Sequence, residues 1–178
     1  STPGTMALTA VETTSRGAIS HEIYYDNVHE LVAWTRTGPL YEANVHETRR
    51  TVTFYNETIP GQPNTTKPEY VIETDASGKS TCTLFGGDPM YAWEFGEARQ
   101  QTLTAQWTDD GRDFEEWTTI DGVHRSIAVL TKDGSCSPFI DSHPSSTIVY
   151  TSVDSGIPSD AFDLPSTCKK PVVGHGIH

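Results

Sequence analysis

The sequence predicts an all-β protein, either a sandwich or an open, strongly curved barrel. Three observations support this prediction. Short segments alternate between apolar and polar residues with the period of two that is typical of strands. Gly, Asp, Asn and Pro residues separate these segments at short intervals. Helix signals are weak, because the best stretch, residues 97–101, is too short to be stable alone.

About nine strands are expected in chain order. The first two, residues 18–25 and 31–35, flank a turn at Asp26 and Asn27 and should form a hairpin. Strict alternation in residues 102–107 predicts that Leu103, Ala105 and Trp107 share one face. The other expected strands are 51–55, 69–73 (with Tyr70 and Ile72 on one face), 82–85, 114–120, 126–130 and 147–153.

Residues 75–78 are expected to form a turn rather than part of a phosphate-binding loop. The run "GKST" resembles the end of such a loop, but the loop requires a glycine at the position of Glu73. Strand-like residues also lie on both sides, whereas a phosphate-binding loop opens a helix. Gly78 should supply the positive φ of a hairpin turn, which delivers Cys82 into the next strand.

Length and charge restrict the function classes. The 178 residues suit one domain, placed at 1–168, followed by a flexible tail at 169–178. The 12 Lys and Arg against 24 Asp and Glu give a net charge of −12, which argues against nucleic acid and anionic membranes as partners. No apolar run is long enough for a membrane span. No signal pattern opens the chain, so we expect it to be mature or never targeted.

Two glycosylation sequons favour the secretory route. They begin at Asn56 and Asn64 and bracket a stretch rich in Pro and Gly at residues 59–63. A loop of this composition should expose both asparagines. We therefore predict a secreted glycoprotein in which at least one of them carries a glycan.

Several motifs suggest chemistry but lack a required partner. His29 and His46 each precede a glutamate as in zinc proteases, yet neither has a second histidine four residues on. The carboxylates of residues 109–113 suit calcium, but a plain hairpin turn around Gly111 is favoured. No nucleophile elbow or acid–base constellation stands out. The sequence therefore predicts no enzyme, no cofactor and no metal site.

The C-terminal segment resembles a known family. "SGIPSDAFDLPSTC" at residues 155–168 is similar to the C-terminal Pro-x-x-Phe-x-x-Pro-x-x-Cys motif of the ependymin-related secreted proteins, with one extra residue before Phe162. Four other stretches fall in the family's order across roughly residues 18–168. They are "YYDN" at 24–27, "VIETDASGKSTC" at 71–82, "AQWTDDGRDFEEW" at 105–117 and the Cys-x-Pro step of "KDGSCSP" at 132–138.

The resemblance implies an extracellular or lysosomal glycoprotein without catalytic activity. Its fold would be two stacked, curved antiparallel sheets, an open half-barrel around a deep apolar pocket. The family's members are thought to bind lipids or other hydrophobic molecules, and several bind calcium or dimerise. We therefore expect a carrier that buries apolar ligand surface. The residues predicted to line its pocket are Trp34, Tyr70, Ile72, Trp93, Leu103, Trp107 and Trp117.

The three cysteines allow at most one internal disulfide. We predict a Cys82–Cys168 bond, because the C-terminal segment has few strand signals and needs an anchor. The family resemblance points to the same pair. Cys136 is the competitor, since its serine and proline neighbours suggest an exposed loop. The family's N-terminal partner for Cys136 is missing from residues 1–20, which leaves Cys136 free or bonded to another chain.

A rival function fits many of the same features. A structural or adhesive extracellular glycoprotein would use glycans, an acidic surface and Cys136 for assembly, as a homodimer or with a disulfide-linked partner. A native mass spectrum distinguishes the two: co-purifying lipid supports the carrier, and a disulfide-linked oligomer without ligand supports the rival.

Overall fold

Eleven strands and no helix make up the described part of the chain. The computed structural model describes residues 4–38, 48–87, 101–130, 136–154 and 156–169. The all-β prediction is confirmed. The strands are β1 (Thr5–Thr14), β2 (Gly17–Asp26), β3 (Leu31–Thr37), β4 (Thr48–Phe54), β5 (Lys67–Thr74), β6 (Ser80–Gly87), β7 (Gln101–Asp109), β8 (Arg112–Thr119), β9 (Arg125–Leu130), β10 (Cys136–His143) and β11 (Ser146–Asp154).

All eleven strands belong to one antiparallel sheet, in the order β6-β5-β4-β3-β2-β1-β11-β10-β9-β8-β7. Neighbours in the sheet are neighbours in the chain everywhere except at the pair of β1 with β11. The sheet therefore consists of two meanders, β1–β6 and β7–β11, joined along that central pair. It is not closed: among the described strands, β6 and β7 form its two edges.

The two faces of the sheet have different cores. The Trp34 face, which carries Leu8, Ile23, Trp34 and Ile148, holds the larger cluster. Because cross-strand partners share a face, the ladder of Leu8 opposite Ile23 opposite Trp34 defines it. The members of the cluster are Met6, Leu8, Ala10, Ile23, Tyr25 and Tyr150, with Val32, Trp34 and Ile148 packed against it.

The opposite face, here the Val52 face, carries Ala33, Val52 and Ile72. The C-terminal segment, residues 156–169, lies on it, and Phe162 and Leu164 pack against that cluster. Apolar contacts thus hold a segment without strand pairing onto the sheet.

Two further bonds fix the C-terminal segment. Cys82 on β6 is bonded to Cys168, with the two Cα atoms 5.1 Å apart, so the predicted disulfide is confirmed. The Arg50 guanidinium donates a hydrogen bond of 2.7 Å to the carbonyl oxygen of Ala161. Cross-link and hydrogen bond anchor opposite ends of the packed stretch.

The predicted turns at residues 75–78 and 109–111 are confirmed. Gly78 has φ +80°, and the Asp75 carboxylate accepts hydrogen bonds from the amides of Ser77 and Lys79. A carboxylate therefore occupies the backbone donors that a phosphate-binding loop would leave open. At the second turn Asp110 and Gly111 both have positive φ, as a two-residue hairpin loop requires.

Two strands, β1 and β10, were missed by the sequence analysis. β10 begins at Cys136, so the expectation that Cys136 lies in an exposed loop was wrong. Pro138 sits inside this strand, in the interior of the sheet, beside a register shift between Pro138 and Ile140. A bulge is one of the few places where a ladder tolerates a residue without an N–H.

The expectation that Leu103, Ala105 and Trp107 share one face was also wrong. The register of β7 against β8 shifts between Leu103 and Ala105, so that Leu103 lies opposite Trp117 and Trp107 opposite Phe114. Trp117 and Phe114 are three residues apart in a regular strand, hence on opposite faces. The bulge at position 104 thus turns the second half of β7 over, a change that strict alternation cannot reveal.

Candidate binding groove

A groove of about 340 Å³ opens on the Trp34 face near the ends of β1, β3 and β10. Its volume lies at the lower end of the range of small-molecule sites. Apolar and ionisable side chains share its wall, since Trp34, Ile148, Glu12, Arg36, His124 and His143 all line it together with the turn at 144–146.

The apolar side of the groove continues the core. Trp34 and Ile148 line the groove and also pack against the cluster that contains Leu8 and Tyr150. A ligand in the groove would therefore contact apolar surface that the folded core already holds in place.

A chain of hydrogen bonds fixes the Trp34 ring in this wall. Its indole Nε1–H donates to Nδ1 of His21 over 2.8 Å, and Nε2 of His21 lies 3.0 Å from Oε2 of Glu12. An indole nitrogen can only donate, so Nδ1 of His21 must be the acceptor. The proton of a neutral His21 is then on Nε2 and is donated to the Glu12 carboxylate.

Burial favours the neutral form of His21. The side chains of His21 and Glu12 are only 1% and 6% exposed. Desolvation is the largest effect on His21 and lowers its pKa, with Arg36 acting in the same direction and Glu12 opposing both. His21 is thus held neutral, in the tautomer that the Trp34 bond requires.

Cationic and imidazole groups border the groove. The Arg36 guanidinium lies 5.2 Å from the centroid of the Trp34 ring, a cation–π contact. Across the groove the rings of His124 and His143 meet edge to face with centroids 4.5 Å apart. These groups offer a ligand hydrogen bonds and positive charge next to apolar surface.

The residues predicted to line a pocket lie on both faces of the sheet. Trp34, Leu103 and Trp117 are on the Trp34 face, whereas Tyr70, Ile72 and Trp107 are on the Val52 face. Trp93 lies outside the described residues. Of the six members that the structure describes, only Trp34 lines the groove.

Trp107 lies in a different environment. Its ring stacks on Phe114 with the planes only 6° apart, and Phe114 in turn meets Phe139 edge to face. Trp107 and Phe114 line a separate cavity of about 290 Å³, beside Asp113 and Leu130. Trp107, which was predicted to line the pocket, thus lies at an edge of the sheet and not in the groove.

Of the remaining predicted sites, Asn56 and Asn64 are exposed in the connection between β4 and β5, as expected for sequons in a loop. Cys136 is free and half-buried. Burial, then the Glu115 carboxylate, raises the pKa of its thiol.

No group of three or more potential metal ligands occurs within the described ranges. His29, from one of the zinc-like motifs, instead pairs with the Asp26 carboxylate over 2.7 Å in the turn between β2 and β3. Among the same residues no helix is long and apolar enough to cross a bilayer.

Sequence reasoning missed Glu12 and His21, although a signal for both was present. Each occupies an inward position of an alternating strand: Glu12 follows Met6, Leu8 and Ala10 in step, and His21 lies between Ile19 and Ile23. An ionisable residue in an apolar register position points to a buried polar pair.

No protein-family model matches this chain, and no curated protein matches it in sequence. The resemblance to the ependymin-related proteins rests on the short motifs alone and stays a prediction.

Proposed function

We propose that the protein is a secreted, non-catalytic carrier that binds a lipid or another hydrophobic small molecule in the groove beside Trp34. The observation that supports this most is the continuity of apolar surface from the core cluster into an open groove through Trp34 and Ile148. A site whose apolar wall is preformed loses little conformational entropy on binding.

The ligand in this proposal carries one polar group. Trp34 and Ile148 take its apolar part, and burial of about 200 Å² of ligand surface would contribute roughly 5 kcal/mol. Arg36, His124 and His143 border the same groove and would orient the polar group. Few polar contacts imply selectivity by size and polarity rather than by detailed shape.

The proposed carrier also implies an arrangement of the two meanders around the ligand. The meanders β1–β6 and β7–β11 would act as two stacked layers with the ligand between them, in the manner of an open half-barrel. The disulfide between Cys82 and Cys168 is compatible with an oxidising extracellular compartment. Glycans on Asn56 and Asn64 would lie in the connection between β4 and β5, which does not line the groove.

Two neighbouring residues of β11 provide the test. Ile148 lines the groove, whereas Val149 is 37% exposed on the Val52 face. An apolar fluorescent probe should bind the folded protein near one-to-one. Ile148→Asn should weaken this binding at least roughly tenfold, and Val149→Asn should leave it within about twofold.

Trp107→Asp serves as a second control at the far edge of the sheet. Failure of the probe to bind, or equal losses in the Ile148 and Val149 variants, would reject the groove as the ligand site. Enzymatic removal of N-glycans with no change in intact mass of the native protein would reject its glycosylation.

A second candidate, an assembling structural protein, is favoured by the edge strand β7. Eight of its nine residues are exposed, and among the described strands none pairs with its outer edge. Such edges are templates for pairing with another chain. Cys136 is a poor covalent link in comparison, because a raised pKa lowers its thiolate fraction. A native mass spectrum showing ligand-free oligomers would favour this candidate over the carrier.

A further inference from the structure

We propose that the groove is a proton-operated switch, in which protonation of His21 releases the Trp34 ring from the groove wall. The inference rests on the proposed function for its ligand, but the switch itself is a property of three side chains: Glu12, His21 and Trp34.

The hydrogen bonds of His21 have fixed directions. The Trp34 indole donates to Nδ1 of His21 over 2.8 Å, and Nε2 of the same ring faces Glu12 over 3.0 Å. Both ring nitrogens are therefore in use. A second proton on His21 can only go to Nδ1, where it would meet the Trp34 N–H, donor against donor.

The environment leaves His21 no easy alternative partner. Its side chain is 1% exposed, so water does not replace the lost bond while the strands stay in register. The ionisable groups near it are Glu12 on β1 and Arg36 on β3, and His124 and His143 lie across the groove. Glu12 attracts the imidazolium, whereas Arg36 repels it.

The structural consequence falls on the groove. Trp34 is only partly buried, so its ring can turn away from His21, and the Arg36 contact moves with it. Trp34 forms part of the apolar wall. Its displacement removes surface that the ligand contacts, and acid should therefore lower the affinity for an apolar ligand.

Protonation of His21 also changes the free energy of unfolding, and the direction of this change follows from the direction of the pKa shift. The pKa of His21 is lowered from 6.5 by burial in the folded protein, so the unfolded chain takes up the proton more readily. The contribution of neutral His21 to the free energy of unfolding is complete above the unfolded value of about 6.5 and declines as the pH falls below it.

The first experiment needs no ligand. The Trp34 indole N–H resonance, assigned with Trp34→Phe, is followed by NMR from about pH 8 to about pH 4.5, together with the nitrogen shifts of His21. We expect the Nε2–H tautomer at neutral pH, and an acid transition of the Trp34 resonance with the same midpoint as His21, in protein that remains folded.

Three variants separate His21 from the other histidines. Gln can accept from Trp34 and donate to Glu12 without titrating, so His21→Gln should abolish the transition. The pair His124→Gln and His143→Gln, and the turn variant His29→Gln, should leave its midpoint unchanged. Trp34→Phe removes the opposing donor and should raise the midpoint of His21.

The second experiment measures the fluorescent probe. Wild-type affinity should fall roughly five- to tenfold between about pH 8 and about pH 5, and His21→Gln should be insensitive over the same range.

Probe binding without any transition of the Trp34 resonance would reject the switch and leave the carrier intact. A transition without probe binding would reject the carrier alone. Unfolding with no preceding change at Trp34, or a transition that persists in His21→Gln and disappears in the His124 and His143 pair, would overturn the inference.

Discussion

The two end hairpins of the sheet, β5–β6 and β7–β8, differ in burial, and the difference is largest between the strands β5 and β7. In β5 three consecutive residues, Tyr70, Val71 and Ile72, are buried, so both faces are covered. In β7 every residue after Gln101 is exposed, including Leu103 and Trp107. Part of the difference is position, because β7 is an edge of the sheet among the described strands, whereas β5 lies one strand inside the other edge. The C-terminal segment covers the Val52 face over β5 and β6, and no described segment does the same for β7.

Coverage of a sheet face is thus a property of a distant part of the chain. Residues 156–169 make no strand, yet they supply Phe162 and Leu164 to the core and are anchored by the Cys82–Cys168 bond. If this cover determines local stability, substitutions at the covered end should cost more free energy of unfolding than those at the open end.

Removal of the disulfide should have the largest effect. The bond closes a separation of 86 residues, and a loop of this size corresponds to on the order of 4 kcal/mol in the unfolded chain. The double variant Cys82→Ala with Cys168→Ala should lose about that much free energy of unfolding in urea. Cys136→Ala is the control and should lose far less. Equal losses would show that the cross-link is not what holds the segment.

Truncation of one apolar side chain at each end compares packing directly. Ile72→Ala, at a residue 6% exposed, should cost about 3 kcal/mol, whereas Leu103→Ala, at 38% exposed, should cost under about 1 kcal/mol. Urea midpoints of the two variants give the difference. A cost at Leu103 as large as at Ile72 would mean that β7 is covered in solution.

Two buried tyrosine hydroxyls should respond with opposite signs. The Tyr70 hydroxyl is buried without a hydrogen-bond partner among the described residues, and burial raises its pKa. Tyr70→Phe should therefore stabilise the protein by about 1 kcal/mol. The Tyr150 hydroxyl donates to buried Asp141 over 2.8 Å, so Tyr150→Phe should destabilise it by about 1–3 kcal/mol. Thermal unfolding of both variants would test this, and losses in both would contradict it.

Two arginines, half-buried Arg50 and exposed Arg125, should give the smallest effects. Arg50 holds the carbonyl of Ala161 in the C-terminal segment, and Arg50→Gln should cost about 1 kcal/mol. Arg125 pairs with Glu116 at an exposed site between β8 and β9, and Arg125→Gln should change stability by under about 0.5 kcal/mol. A larger loss of stability in Arg125→Gln than in Arg50→Gln would contradict the prediction that the covered end contributes more to stability than the open end.

Local patterns in the sequence predicted much of the fold and little of the groove. The alternation of apolar and polar residues predicted most strands, and Gly78 and Gly111 predicted two turns. Both patterns extend over only a few neighbouring residues and can therefore be recognised in the sequence. β10 was missed since Pro138 reads as a strand breaker, and only the bulge beside it makes the strand possible. The bulge in β7 has no marker residue at all.

The groove depends on longer-range information. Trp34 and His143 are separated by more than a hundred residues and meet only because β1 pairs with β11. Which residues share a face across several strands depends on every intervening register, so a single bulge moved Trp107 away from Leu103. A tail without strand signals needs an anchor, which predicted a bond for Cys168, but that argument left Cys136 as a competing partner, and the family resemblance pointed to Cys82.

The pairing of β1 with β11 also bears on how fast the chain folds. In every other neighbouring pair of the sheet the two strands are consecutive in the chain. Thr9 of β1 and Thr151 of β11, which are hydrogen-bonded to each other, are 142 residues apart. Pairings of such separation are entropically costly to close and slow a folding reaction. Each meander can begin to form on its own, but β1 can pair with β11 only after β11 has left the ribosome. Joining the two meanders is thus the step that requires both the first and the last of the described strands, β1 and β11.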